Sequence, residues 1–150
     1  MTLGRMAFDL AAEVGDSVVA IFFRDTDGTH SSHTGLWQDK WQSVCDGFKH
    51  SDFTRGVPML PKPKSEAWLL CLAGFNPGGT CEALEELSGN DHSPNSVKSR
   101  LDATLGRHHS ADELCEWLIQ HPVAVDRIDS MPSFRAFHEA LISAVKNFPI

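Results

Sequence analysis

The chain has 150 residues, enough for one domain with a real core, and its 41% hydrophobic and 22% charged residues are those of an ordinary soluble protein. Thirteen Lys and Arg against twenty Asp and Glu leave a net charge of -7. That excludes a protein that coats nucleic acid through global charge and leaves room for a local basic groove. No apolar run approaches the roughly 20 residues that cross a bilayer, and the N-terminus lacks the apolar region and small-residue cleavage site of a signal peptide. The expectation is therefore a cytoplasmic protein with no membrane partner.

Leu3, Met6, Ala7, Leu10, Ala11 and Val14 recur at helical spacing, and Gly15-Asp16 stops that helix. Ser17 to Phe23 is nearly all apolar and does not alternate, which predicts a central strand of a parallel sheet buried on both faces. A polar loop, Gly28 to Gly35, leads to a helix over Thr34–Lys49 with Trp37, Trp41, Val44, Cys45 and Phe48 on its buried stripe. Gly56 to Leu60 reads as a second strand. Pro61-Lys62-Pro63-Lys64 is a stiff basic turn, and Ser65 caps a helix from Glu66 to Ala73.

From Thr80 onward the pattern is helical only. Leu84 and Leu87 mark a short helix, and Ser93-Pro94 starts another that buries Val97, Leu101 and Leu105 and stops at Gly106. Ser110 to Glu113 is a capping box, and a last helix begins near Pro132 and buries Phe134, Phe137, Leu141 and Val145. The expected fold is α/β: a small parallel sheet flanked by helices, TOPRIM- or Rossmann-like, with a helical C-terminal cap. Residues 1–150 read as one domain, with 1–78 the α/β core and 79–150 the helical part. The four cysteines, Cys45, Cys71, Cys81 and Cys115, are widely spaced and read as reduced core residues.

The residues that promise chemistry begin at the first strand's end. Asp25 and Asp27 stand one residue apart, and paired carboxylates repel unless a cation lies between them, so they invite Mg²⁺ or Mn²⁺. A metal so held bridges phosphate oxygens and acidifies bound water. Glu66, opening a helix after the second strand, is the candidate third ligand. Lys62 and Lys64 are candidates for gripping a phosphate backbone or stabilising developing charge. His30 and His33 flank the acidic loop as further candidates, with an exposed polar loop the plainer reading. No P-loop glycine pattern is present.

Asp25-Thr26-Asp27-Gly28-Thr29 after an apolar strand resembles the first motif of haloacid-dehalogenase-type phosphatases. That likeness implies a nucleophilic Asp25, an acid/base Asp27 and Mg²⁺. A longer resemblance runs through the same acids, then Val57–Leu70, Ser93–Lys98 and Met131–Phe137. These segments look like a bacterial family of unknown function that is similar to TOPRIM domains, the phosphoryl-transfer core of topoisomerases, primases and overcoming-lysogenisation-defect nucleases. The resemblance implies a Mg²⁺-dependent nuclease or nuclease subunit acting on nucleic acid, association with an ATPase partner, and a role in phage defence. Asp25 and Asp27 match the family's DxD. The family's glutamate belongs on a strand ahead of the opening helix, so another chain would supply it, or Glu66 would stand in. A non-catalytic interaction subunit is the third expectation, motivated by the acidic balance and that displaced glutamate.

Overall fold

The computed structural model describes residues 2–15, 18–26, 36–75 and 77–148. Helix α1 spans Leu3–Val14; the Thr2 hydroxyl accepts the Arg5 amide proton at its start, and Gly15, at φ 84°, ends it. Its buried residues are the small ones, Gly4, Ala7 and Ala11, whereas Leu3, Met6, Leu10 and Val14 are exposed. The reason is close approach. A Cβ on Gly4 would stand 2.7 Å from the Ser51 side chain, so the helix lies too near its neighbour for larger residues on that face.

Strand β1, Ala20–Phe23, pairs in parallel with β2, Gly56–Met59, with Phe22 opposite Pro58. Among the described residues this sheet has two strands. The expected small parallel sheet with helices around it is thus present. The expectation that β1 is central and buried on both faces is corrected: Ala20 is buried, but Ile21 is 45% and Phe23 52% exposed. With one strand neighbour β1 is an edge, and side chains alternate between its faces.

Helix α2, Leu36–His50, follows the undescribed segment. Only Phe48 of its expected stripe is fully buried; Trp37, Trp41, Val44 and Cys45 are half-buried. The Trp37 and Trp41 rings stack at 5.2 Å, and the Trp37 indole N–H donates to the Leu60 carbonyl at 2.8 Å. Phe48 and Phe53 join Ala7, Ala11 and Ala20 in one apolar cluster. Gly56 lies directly beneath the Phe48 ring, where a Cβ would come within 2.1 Å of a ring carbon.

Helix α3, Ser65–Leu72, begins one residue earlier than expected, at Ser65 itself; Lys64 occupies the cap position without a side-chain capping bond. Two 3₁₀ turns, Pro77–Gly79 and Glu82–Glu86, replace the expected short helix around Leu84. Helix α4, Val97–Leu105, is capped by Ser96 and stopped by Gly106 at φ 84°. Helix α5, Ala111–Gln120, carries the full Ser110–Glu113 capping box. A short helix that the sequence pattern did not announce, α6 (Val125–Ile128), precedes α7, Pro132–Lys146.

The chain divides into two compact units, residues 1–60 with 136–150, and residues 61–135. The second unit buries Leu70, Leu84, Val97, Leu101, Ile128 and Met131, and the Trp68 ring meets Phe134 edge-on at 5.1 Å. It also corrects the cysteine reading. Cys71 and Cys81 form a disulfide with a Cα separation of 5.6 Å, bringing the end of α3 to the start of the second 3₁₀ turn. Both are buried, so burial alone did not distinguish two thiols from one bond. Cys45 and Cys115 are free, and Cys115 is exposed on α5 rather than in a core.

Candidate functional site

Pairing with β2 continues one residue past β1, where the Arg24 amide donates to the Met59 carbonyl at 3.2 Å. Asp25 comes next, half-buried, and Thr26 is buried with its carbonyl accepting a proton from the Lys40 ammonium at 3.0 Å. The C-terminal end of a parallel strand is where α/β sheets hold ligands, so the chain delivers Asp25 to the expected edge. Asp27, His30 and His33 lie outside the described residues. Among the described residues no group of three or more His, Cys, Asp or Glu is placed to hold a metal ion. The described carboxylates alone therefore do not make a Mg²⁺ or Mn²⁺ site.

The other candidates lie in the second unit. Glu66 is half-buried in the first turn of α3, where the Ser65 hydroxyl donates to its carboxylate at 3.4 Å. Lys62 pairs with Glu86 at 3.2 Å. Lys64 pairs with Asp91 at 2.9 Å, its side chain only 13% exposed, and Lys98 stands 3.7 Å from the same carboxylate. The hydrogen bond from Lys64 holds the Asp91 carboxyl below its ordinary value. Both lysines of the basic turn are therefore engaged by carboxylates. For Lys64 to grip a phosphate it would have to leave Asp91.

A buried carboxylate escaped the sequence reading altogether. Glu85, 7% exposed, accepts the Ser133 amide proton at 2.7 Å, at the first turn of α7. The Trp68 indole N–H donates to the Ser133 hydroxyl at 2.9 Å. Burial pushes the Glu85 carboxyl up, against the opposing pull of its bonds to Ser133. The signal was Pro132-Ser133 at a helix start, whose free amide protons need an acceptor.

The backbone at β1 is as informative as its side chains. Ala20 and Arg24 donate to the Arg55 and Met59 carbonyls, so even-numbered residues of β1 face β2. The amides and carbonyls of Ile21 and Phe23 then point the other way, along the edge that has no strand neighbour among the described residues. The opposite edge of the sheet is different: there β2 turns Gly56 and Pro58 outward, and Pro58 has no N–H to offer. One edge of the sheet can take a further strand and the other is blunted.

Comparison with protein-family models, with curated proteins and with solved structures finds no match to this chain.

Proposed function

We propose that this chain works as an interaction subunit, docking a partner chain through the free edge of β1. The observation that carries the reading is a short strand bearing two large exposed apolar residues, Ile21 and Phe23, whose outward backbone groups meet no neighbouring strand among the described residues. Such an edge is a template for an added strand: main-chain hydrogen bonds supply affinity, and alternate side chains supply selectivity. The exposed Met6, Leu10 and Val14 on α1 add apolar surface within the same unit. The occupant is an extended segment with apolar residues at alternate positions, carried by a protein partner such as the ATPase that the family resemblance implies.

The test places a photo-crosslinking phenylalanine analogue at Phe23 in cells and follows the captured partner by mass spectrometry and amide hydrogen exchange. Capture should vanish in the Ile21→Lys background, and the amides of residues 21 and 23 should gain protection in the purified complex. Protection mapping elsewhere, or capture indifferent to the lysine, sinks the reading.

A second reading is favoured by the strand-end placement of Asp25. In it the chain is a subunit of a TOPRIM-like, Mg²⁺-dependent nuclease, with Asp25, Asp27 and Glu66 toward the metal and an added strand bringing the remaining glutamate. The haloacid-dehalogenase-type phosphatase is its alternative chemistry. Cleavage of DNA and RNA, and turnover of p-nitrophenyl phosphate, should be assayed with Mg²⁺ before and after Asp25→Ala and Asp27→Ala. Activity that survives both substitutions removes the acids from the mechanism.

A further inference from the structure

A cavity of about 410 Å³ opens in the first unit, between the start of α1, the C-terminal end of the sheet and the middle of α2. That size falls within the roughly 300–1,000 Å³ of small-molecule sites. Its walls are mostly apolar, with Phe22, Val44, Phe48 and Leu60 among them. Among the described residues two cations line it, Arg24 and Lys40. No Asp or Glu among the described residues does, although the whole chain carries seven more acids than bases.

The two cations are differently held. Lys40 donates one proton to the Thr26 carbonyl at 3.0 Å, which fixes its ammonium and leaves further protons for an acceptor. The Arg24 guanidinium has no side-chain partner among the described residues; only its main-chain amide is engaged, with Met59. A guanidinium presents a planar fork that suits carboxylate, sulfonate or phosphate oxygens. The start of α1 at Thr2, Leu3 and Gly4 adds the positive end of a twelve-residue helix to the same wall.

We propose that this cavity binds a small organic acid, an apolar body seated against Phe22, Phe48 and Leu60 with one anionic group at Arg24 and Lys40. The site is independent of the β1 edge. The edge uses the outward backbone of Ile21 and Phe23, whereas the cavity uses the Phe22 side of the strand. A ligand here stabilises the packing of α1 and α2 around the strand by binding the folded unit alone.

The test uses a matched pair of fluorescent probes, 8-anilinonaphthalene-1-sulfonate and uncharged N-phenyl-1-naphthylamine, titrated into the full chain. Two variants keep the result interpretable. Arg24→Gln removes the charge without breaking a side-chain bond among the described residues. Gly47→Met fills the cavity from α2, at a glycine where an added Cβ meets nothing within 4 Å and a helix former is favoured. Saturable sulfonate binding should weaken about tenfold in Arg24→Gln, as loss of a charge-assisted bond predicts, while the uncharged probe changes little. Both probes should be lost in Gly47→Met with the circular dichroism spectrum retained. The proposal is overturned by absence of saturable binding, by binding that Gly47→Met leaves intact, or by equal weakening of both probes in Arg24→Gln.

Discussion

Replacing Glu85 tests whether the second unit is held by a buried acceptor rather than by apolar contact alone. Its carboxylate receives the Ser133 amide proton at 2.7 Å, and the hydroxyl of the same serine receives the Trp68 indole proton. Glu85→Ala leaves that buried amide without its partner, a loss of about 1–3 kcal/mol, with a further cost for the vacated volume. Glu85→Gln keeps a carbonyl oxygen for the amide and removes the charge. The pH dependence separates the two effects. Burial raises the folded-state value of Glu85 above its ordinary 4.5. Its contribution to stability is therefore complete below 4.5 and is lost as pH rises through the raised folded value. Glutamine does not titrate, so Glu85→Gln should match the native chain near pH 4, gain on it as pH rises from 4.5 through the raised folded value, and hold that advantage above it. Urea midpoints followed by tryptophan fluorescence, with Trp68 as the local reporter, read both comparisons. A Glu85→Ala chain as stable as the native one, or a glutamine advantage that shrinks as pH rises, refutes the network.

Three further outcomes follow from the packing. Gly56→Ala places a methyl 2.1 Å from the buried Phe48 ring and should destabilise the first unit by about 1–3 kcal/mol; Phe48→Leu in the same chain should recover part of the loss, and an additive double variant would falsify the clash. The Cys71–Cys81 bond closes a loop with a sequence separation of 10, worth about 2–3 kcal/mol; Cys81→Ser should lower the urea midpoint accordingly, and mass spectrometry after alkylation should find only Cys45 and Cys115 labelled in the native chain. Ser110→Ala removes the cap of α5 at a cost of about 1 kcal/mol, visible as faster hydrogen exchange of its first-turn amides. The bond from Arg107 brings Glu113 down to about 2, so the help this carboxylate gives is present above 4.5 and fades as pH falls through about 2; protection of those amides, corrected for the intrinsic pH dependence of exchange, that rises on acidification across that window contradicts it.

Local rules were legible where one residue decides the outcome. Gly15 and Gly106 end their helices at positive φ, and Ser110 with Glu113 forms its capping box, because these depend on neighbours within a turn. Which face of a helix is buried was not legible in α1, where a stripe of leucine, methionine and valine competes with a stripe of glycine and alanine. Hydrophobicity favours the first stripe, but close approach to Ser51 selects the second. The run from Ser17 to Phe23 misled in the same way. A continuous apolar run is compatible with burial on both faces, yet the number of neighbouring strands decides it, and that number is a property of the whole sheet. The Cys71–Cys81 bond depends on two segments meeting across ten residues, which no spacing rule specifies.

The candidate site turned on a similar distinction, between a cation's presence and its availability. Lys62 and Lys64 stand out in sequence because prolines set them in a basic turn, but Glu86 and Asp91, 24 and 27 residues further on, fold back to engage them. Arg24, next to Asp25, has no comparable mark in the sequence. In the fold it lines an apolar cavity where, among the described residues, neither an acidic wall nor a side-chain partner for its guanidinium is present. Charge that is already neutralised by a short, half-buried pair contributes little to an approaching anion, whereas a guanidinium beside apolar walls with no described counter-charge contributes most of its field. An anion should therefore be sought first at Arg24 and Lys40, and the basic turn is better regarded as part of what holds the second unit together.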